Sequence, residues 1–276
     1  MKAAVFYGSG GFRQERHPVP RPREGQILFR VLASGICGGE YNITRRWEGR
    51  PLPHEGIILG HEIAAEVVED AAGRLKPGTL AAISPNRGCG YCWFCRHDLA
   101  NVCGNRAPNT AATGGGYAEY CLAFPDQCFV PETSLPAEEL ALAEPLACCI
   151  HSLNRAALSP GEKVLIIGAG GGAQLFAQLA NVYGASQVTV ADSIVRRLET
   201  ARKMGADRVI NTDQEELDSS GDTDGGFDVV IVTRSSAEYL EKAFSCCAWR
   251  GRVLCYGVME PGINARIEPN LIWKKQ

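Results

Sequence analysis

The feature that most restricts how this 276-residue chain can fold is the run Lys163–Ile167 (KVLII), followed directly by Gly168–Gly172 (GAGGG). Five residues rich in Val, Ile and Leu, bounded by turn residues, read as a strand buried in a parallel sheet. Gln174 to Tyr183 then reads as a helix, with Leu175, Phe176, Leu179 and Val182 on one apolar face and Gly184 stopping it. A second strand, Gln187–Ala191 (QVTVA), ends in Asp192. The order strand, glycine turn, helix, strand belongs to a sheet whose parallel strands are joined by crossover helices.

The rest of the chain divides around that unit. From about Pro136 a helical stretch, Ala137–Leu158, is followed by strands at Lys163–Ile167, Gln187–Ala191, Arg208–Ile210, Asp228–Thr233 and Arg252–Tyr256 that alternate with helices. This predicts an α/β domain with a doubly wound parallel sheet. Pro145 is expected to kink or interrupt the joining helix. Before it, short apolar runs at Ala3–Phe6, Ile27–Ala33, Ile63–Val68, Leu80–Ile83 and Tyr117–Leu122 are separated by Gly, Pro and charge, which predicts a β-rich domain with long loops. The boundary is placed at 143/144. Glu215–Gly226, acidic and glycine-rich, reads as an exposed loop.

Composition excludes several classes. Net charge is −3 and charged residues make up 21% of the chain, so no basic surface points to nucleic acid. The N-terminal apolar run is too short for a signal peptide, and no run is long enough to span a membrane. With twelve cysteines and no export signal, a reduced cytoplasmic protein is expected rather than a disulfide scaffold. Cys89, Cys92, Cys95 and Cys103 follow C-x2-C-x2-C-x7-C, a spacing that can wrap one zinc tetrahedrally at about 2.3 Å per Zn–S bond. An iron–sulfur cluster is the competing ligand set. With all four positions filled by protein, such a site is structural, and the lobe is placed at about residues 86–106.

The glycine turn resembles the dinucleotide-binding Rossmann fingerprint, here G-x-G-x-x-A with an acid at the tip of the second strand. Gly168 would make the turn, Gly170 would admit a pyrophosphate, Gly171 and Gly172 would open the helix N-terminus toward it, and Ala173 would allow close helix packing. Asp192 would accept from ribose hydroxyls and repel a 2′-phosphate, which favours NAD. Arg196 and Arg197 follow closely. They read as solvated helix charges, although Arg197 holding a 2′-phosphate would reverse the cofactor preference.

The four-cysteine lobe, Gly35–Glu40 (GICGGE), Gly60–Glu62 (GHE), Glu144–Cys148 (EPLAC) and the GAGGG turn occur in one order. Together they resemble the zinc-dependent medium-chain alcohol dehydrogenase family, nearest its sorbitol, threonine and cyclitol (2-deoxy-scyllo-inosamine-type) dehydrogenase branch. The resemblance implies a GroES-like catalytic domain beside the Rossmann domain, two zinc ions per chain, and NAD. It also implies a small alcohol or ketone substrate and a homodimer or homotetramer. By motif position, Cys37 and His61 would be ligands of a catalytic zinc, with Glu62 or Glu144 as the third; a thiolate, an imidazole and a carboxylate leave a fourth position open. The two glutamates are not separable by sequence.

Two departures from the family pattern stand out. The usual proton relay has Ser or Thr two residues after the zinc cysteine, then Asp, then often His two beyond; here these positions are Gly39, Glu40 and Asn42. Glycine carries no hydroxyl, so the relay is broken at its first member. Either Glu40 acts as the base, or Glu62 or Glu144 takes the proton through a water, or the chemistry has moved to conjugate C=C reduction. A cofactor-binding protein without turnover is a further alternative. The second departure is at Ile272–Gln276, where the family's sixth strand would begin: five strands and no return to the first domain are expected. Tyr41, Trp47 and His54 lie where relatives contact substrate, while Cys148, Cys149, Cys246, Cys247 and Cys255 read as core.

Overall fold

Alternation along the early strands builds the first sheet. In the computed structural model, which describes residues 1–46, 56–105, 114–217, 225–259 and 262–275, strands β1 (Lys2–Phe6), β2 (Phe12–Arg16), β3 (Ile27–Ser34), β4 (Ile57–Ile58), β5 (Ile63–Asp70), β6 (Leu80–Ile83), β7 (Tyr120–Ala123) and β8 (Cys128–Phe129) form two antiparallel sheets. Their orders are β2-β1-β4 and β7-β3-β5-β6-β8. Ile27 and Phe29, Ile63, Ala65 and Val67, Ala81 and Ile83, and Cys121 and Ala123 occupy alternate positions and share one buried face. On the opposite face Ala64 and Ala82 pack with Leu140 and Ala141. The helices of this part are α1 (Gly38–Arg46), α2 (Trp93–Arg96) and α3 (Ala137–Leu140).

The chain divides into two compact units, Met1–Pro145 and Leu146–Gln276. The joining helix is interrupted earlier than Pro145: α3 ends at Leu140, and α4 (Ala143–Ala156) begins afresh. Pro145 falls in the first turn of α4, where a missing N–H leaves no bond unmade.

In the second unit, β9 (Lys163–Ile167), β10 (Gln187–Asp192), β11 (Arg208–Asn211), β12 (Phe227–Val232) and β13 (Cys247–Cys255) form one parallel sheet in the order β11-β10-β9-β12-β13. Val164 and Ile166 enter one core, and Leu165 and Ile167 enter the other. All four are fully buried. The sheet is therefore covered on both faces, as its unbroken apolar runs predict. Helices α5 (Gly171–Val182), α6 (Val195–Lys203) and α7 (Ala237–Cys246) cover it, and α8 (Pro269–Lys275) follows β13.

Four local expectations need correction. Helix α5 starts at Gly171 rather than Gln174, because Gly170 takes an extended cap and the next two glycines enter the first turn. Its buried stripe is Ala173, Phe176, Ala177 and Ala180, with Val182 exposed. Phe176 is buried as expected, Leu175 and Leu179 pack half-buried against the same core, and of the expected face only Val182 turns away; small residues let α5 lie close to the sheet. Residues 272–275 are helical, not the start of a strand. Cys149, Cys246 and Cys247 are buried as expected, but Cys148 and Cys255 are exposed. Part of the loop read at Glu215–Gly226 lies outside the described residues, and Leu217 at its start is buried.

Candidate metal centre and nucleotide turn

The site in the first unit is built on a helix cap. Cys37 precedes α1, its Sγ accepts the Gly39 N–H at 3.3 Å, and the Glu40 carboxylate reaches back to the Cys37 N–H at 3.3 Å. Cysteine in the cap position and glutamate three residues on thus bond to each other's turn, which ties Cys37 and Glu40 together at the start of α1. His61 and Glu62 arrive from the turn before β5. Gly60 there has φ +98°, and a Cβ would lie 2.7 Å from the Tyr117 nitrogen, so only glycine fits.

The ligand atoms of Cys37, His61 and Glu62 lie within 4.8 Å of one another. Glu144 lies outside this close set, but its charge bears on Glu62. Glu62 is 7% exposed. Burial pushes its carboxyl up, and the charges of Glu144 and Glu40 add to this against His61. His61 is pushed up to about 10, first by its hydrogen bond to Cys37 and next by that to Glu40, against burial. A thiolate, an imidazole and a carboxylate that converge within 4.8 Å are a donor set that suits zinc, so the ion expected from sequence fits these residues.

Glu40 is 3% exposed and has no free face. Its Oε1 accepts the Gly60 N–H at 2.5 Å and meets His61 Nδ1 at 3.1 Å; its Oε2 accepts the Cys37 N–H and the Tyr117 hydroxyl. Burial raises its carboxyl, but the hydrogen bonds from His61, Tyr117 and Gly60 outweigh this and hold it below the ordinary carboxylate range. Such a carboxylate orients an imidazole, and its engaged oxygens weigh against the expected role of Glu40 as base. Tyr117 went unnoticed in the sequence; nothing local marks it, since its partners lie 77 and 82 residues away. Tyr41 is exposed on α1. Trp47 and His54 lie outside the described residues.

The four-cysteine lobe is also assembled. Cys89, Cys92, Cys95 and Cys103 bring their sulfurs within 4.8 Å of one another. Separations of 3.9 Å (Cys89–Cys95), 3.5 Å (Cys92–Cys95) and 3.7 Å (Cys92–Cys103) match the about 3.8 Å edge of a tetrahedron with Zn–S bonds of about 2.3 Å. An iron–sulfur cluster would hold its thiols further apart. The residues fit a single zinc ion.

In the second unit the turn Gly168–Gly172 leaves β9 and opens α5. Gly168 has φ +105° and donates to the Ala191 carbonyl at 2.7 Å. Cβ atoms added at Gly170 and Gly171 would meet nothing within 4 Å; at Gly172 one would meet Tyr256 at 3.2 Å. Ala173 is buried in the core under α5. Asp192 is 1% exposed: Oδ2 accepts the Ala169 N–H at 2.8 Å and Oδ1 the Ile194 N–H at 2.9 Å. The Arg197 guanidinium lies 4.0 Å from Oδ2 and is half exposed. The helix start and the open faces of Gly170 and Gly171 have the form of an anion-binding turn.

A β-rich unit carrying a thiolate–imidazole–carboxylate set, followed by a nucleotide-binding parallel sheet, defines a zinc-binding dehydrogenase. Residues 23–134 match the family model of the alcohol dehydrogenase GroES-like domain, and residues 171–276 that of the zinc-binding dehydrogenase. The chain belongs to the zinc-dependent medium-chain alcohol dehydrogenase family, and is an NAD(P)-linked alcohol oxidoreductase. It is 31% identical to the sorbitol dehydrogenase of Bacillus subtilis (strain 168), over 94% of this chain and 75% of that one. With the L-threonine 3-dehydrogenase of Pyrococcus horikoshii it shares 32% identity, over 93% and 75% of the two chains. A crystal structure described as a zinc-binding dehydrogenase from Sinorhizobium meliloti 1021, bound to NADP, superposes with a TM-score of 0.91 at 28% identity, covering 99% of this chain and 81% of that one. No helix among the described residues is long and apolar enough to cross a membrane.

Proposed function

We propose that this chain interconverts a secondary alcohol and a ketone on a polyol, cyclitol or amino alcohol, with NAD as the hydride carrier. The observation that carries the reading is the convergence of Cys37, His61 and Glu62 within 4.8 Å, with Glu40 behind the imidazole. Sorbitol and threonine dehydrogenases among the relatives support the substrate class. Cys37, His61 and Glu62 would hold the catalytic zinc, and Cys89, Cys92, Cys95 and Cys103 a structural one, giving two per chain. When bound, the first ion supplies Lewis acidity to an alcohol oxygen and the nicotinamide accepts hydride. Glu62 is favoured over Glu144 as third ligand because only its carboxylate belongs to the close set.

The chain's own residues then divide the work. Cys37 and His61 present sulfur and nitrogen, and Glu40 fixes the ring. Gly39 has no hydroxyl and the Glu40 carboxylate is fully engaged, so the substrate proton leaves toward the half-buried Glu144 and solvent. Gly170 and Gly171 leave room for the pyrophosphate at the start of α5, Gly168 makes the turn, Gly172 and Ala173 let the helix pack close, and Asp192 disfavours a 2′-phosphate. Arg197 stands beside that carboxylate as its counter-charge. The chain works as a homodimer or homotetramer in the reducing cytoplasm.

The missing hydroxyl at Gly39 favours a second reading, conjugate reduction of an activated double bond. One assay separates the two: NAD- and NADP-linked turnover against polyol, cyclitol, amino-alcohol and enone panels, with zinc content measured on the same sample. Alcohol oxidation with NAD at two zinc ions per chain is the expected result. Turnover confined to enones would establish the second reading, and preference for NADP would overturn the role given to Asp192.

A further inference from the structure

The two segments that carry the proposed zinc ligands, the Cys37 turn and the His61–Glu62 turn, meet at one tyrosine. The backbone of Gly116 and Tyr117 is stitched to the residues just before His61: the Gly116 N–H donates to the Gly60 carbonyl at 2.8 Å, and the Tyr117 N–H donates to the Leu59 carbonyl at 2.9 Å. The Tyr117 ring stands edge-on to Phe12, with centroids 6.5 Å apart. Its hydroxyl reaches the opposite segment, 3.2 Å from the Gly35 carbonyl and closer still to Glu40 Oε2, which receives its proton. Gly35 in turn donates to the Glu62 carbonyl at 2.8 Å. The hydroxyl therefore spans the Cys37 turn, the His61–Glu62 turn and the segment entering β7.

The carboxylate it touches holds His61. Glu40 Oε1 is occupied by the Gly60 N–H and His61 Nδ1, while Oε2, among the described residues, has besides the tyrosine the 3.3 Å bond from the Cys37 N–H. The Cys37 bond is long for an N–H···O contact. The tyrosine is thus the strong constraint on Oε2, and without it the carboxylate plane is free to turn about Oε1. Any such turn moves Nδ1, and with it the nitrogen on the far side of the ring.

We propose that Tyr117 is a positioning residue for the metal centre: its hydroxyl locks the plane of the Glu40 carboxylate, which sets the direction in which His61 and Cys37 present their ligand atoms. The inference rests on the reading of Cys37, His61 and Glu62 as zinc ligands.

Cobalt(II) tests it, because it takes zinc's ligands and its visible absorption reports their geometry. The full chain, loaded with cobalt at both sites, is compared with Tyr117→Phe, Glu40→Gln and the double variant. The readouts are d–d bands, thiolate charge-transfer bands, metal release to a chelator and thermal midpoint. Tyr117→Phe keeps the ring and its backbone pairing. It is expected to shift the d–d bands of the three-ligand site and speed release from it roughly tenfold, the lower end of what lost outer-shell partners cost. The four-cysteine bands and the thermal midpoint stay put. Glu40→Gln does the same, and the double variant adds nothing further, since both act through one carboxylate. Tyr117→Phe indistinguishable from the parent, additive effects in the double variant, or loss of both sites together would each overturn the inference. A parent that binds one cobalt, at the four cysteines alone, would overturn the zinc-ligand reading itself and this inference with it.

Discussion

Gly39 leaves room beside the Cys37 sulfur: a Cβ added there would lie 3.6 Å from Sγ, an ordinary contact, and among the described residues beyond its chain neighbours no other atom comes within 4 Å. Gly39→Ser is expected to fold normally and to raise kcat for alcohol oxidation, by up to about 10²-fold if proton transfer limits turnover. Gly39→Ala, measured beside it in steady-state kinetics, leaves kcat near the parent value. Away from the site, Asp70 has a side chain that is 0% exposed and accepts the N–H groups of Ala72, Arg74 and Leu75. The Arg74 guanidinium first, and these N–H groups with it, hold its carboxyl at about 2. The folded value lies below the unfolded one of about 3.9, so this stabilisation is complete above pH about 4 and lost as pH falls toward 2. Asp70→Asn should lower stability at neutral pH and flatten the acid limb of a urea-midpoint against pH curve.

The β9–turn–α5 unit separates glycines that the fold needs from those that a ligand needs. At Gly168 the backbone is left-handed, and a Cβ would fall 2.3 Å from Thr233 Oγ1, a side chain that bonds the Ile167 carbonyl. Gly168→Ala should therefore destabilise the protein by about 1–3 kcal/mol in urea unfolding. Gly170 has φ −74° and an empty surround. Gly170→Ala should leave the unfolding midpoint unchanged and raise the KM for NAD, because its methyl enters the space kept for the pyrophosphate. The far end of α5 is closed by Gly184 at φ +82°, with the Ala185 N–H donating back to the Ala180 carbonyl, which matches the stop predicted there. The start was misjudged by three residues because glycine is a poor helix former, and only the bound sheet and cap keep Gly171 and Gly172 helical.

At the scale of the whole molecule, each unit has its own core and its own ligand chemistry. The chain spans three quarters of the Bacillus and Pyrococcus relatives' length. Linkage makes the division measurable. In calorimetry, chelation of the three-ligand site is expected to lower the transition of Met1–Pro145 and leave that of Leu146–Gln276 in place. NAD at about 100 times its Kd is expected to stabilise the transition of the second unit by about 2.7 kcal/mol. A single transition that moves as one with either ligand would show that the units unfold together.

What the sequence by itself determined was whatever local spacing encodes. The paired apolar faces of the parallel sheet, the glycine turn with its acid, the four-cysteine lobe and the motif positions of Cys37, His61 and Glu62 all follow from residues within a few tens of positions of one another. The Cys37-x-x-Glu40 spacing also encodes locally the helix start at which the Glu40 carboxylate accepts the Cys37 N–H. Tertiary structure decided the rest. That Glu40 is engaged on every side depends on Gly60, His61 and Tyr117, which reach it from 20, 21 and 77 residues away. Likewise, the proposal of Glu62 over Glu144 as third ligand rests on which carboxylate folding brings to the sulfur and the imidazole. Local propensity carries no information about either, because both are set by where separate strands and turns come to rest.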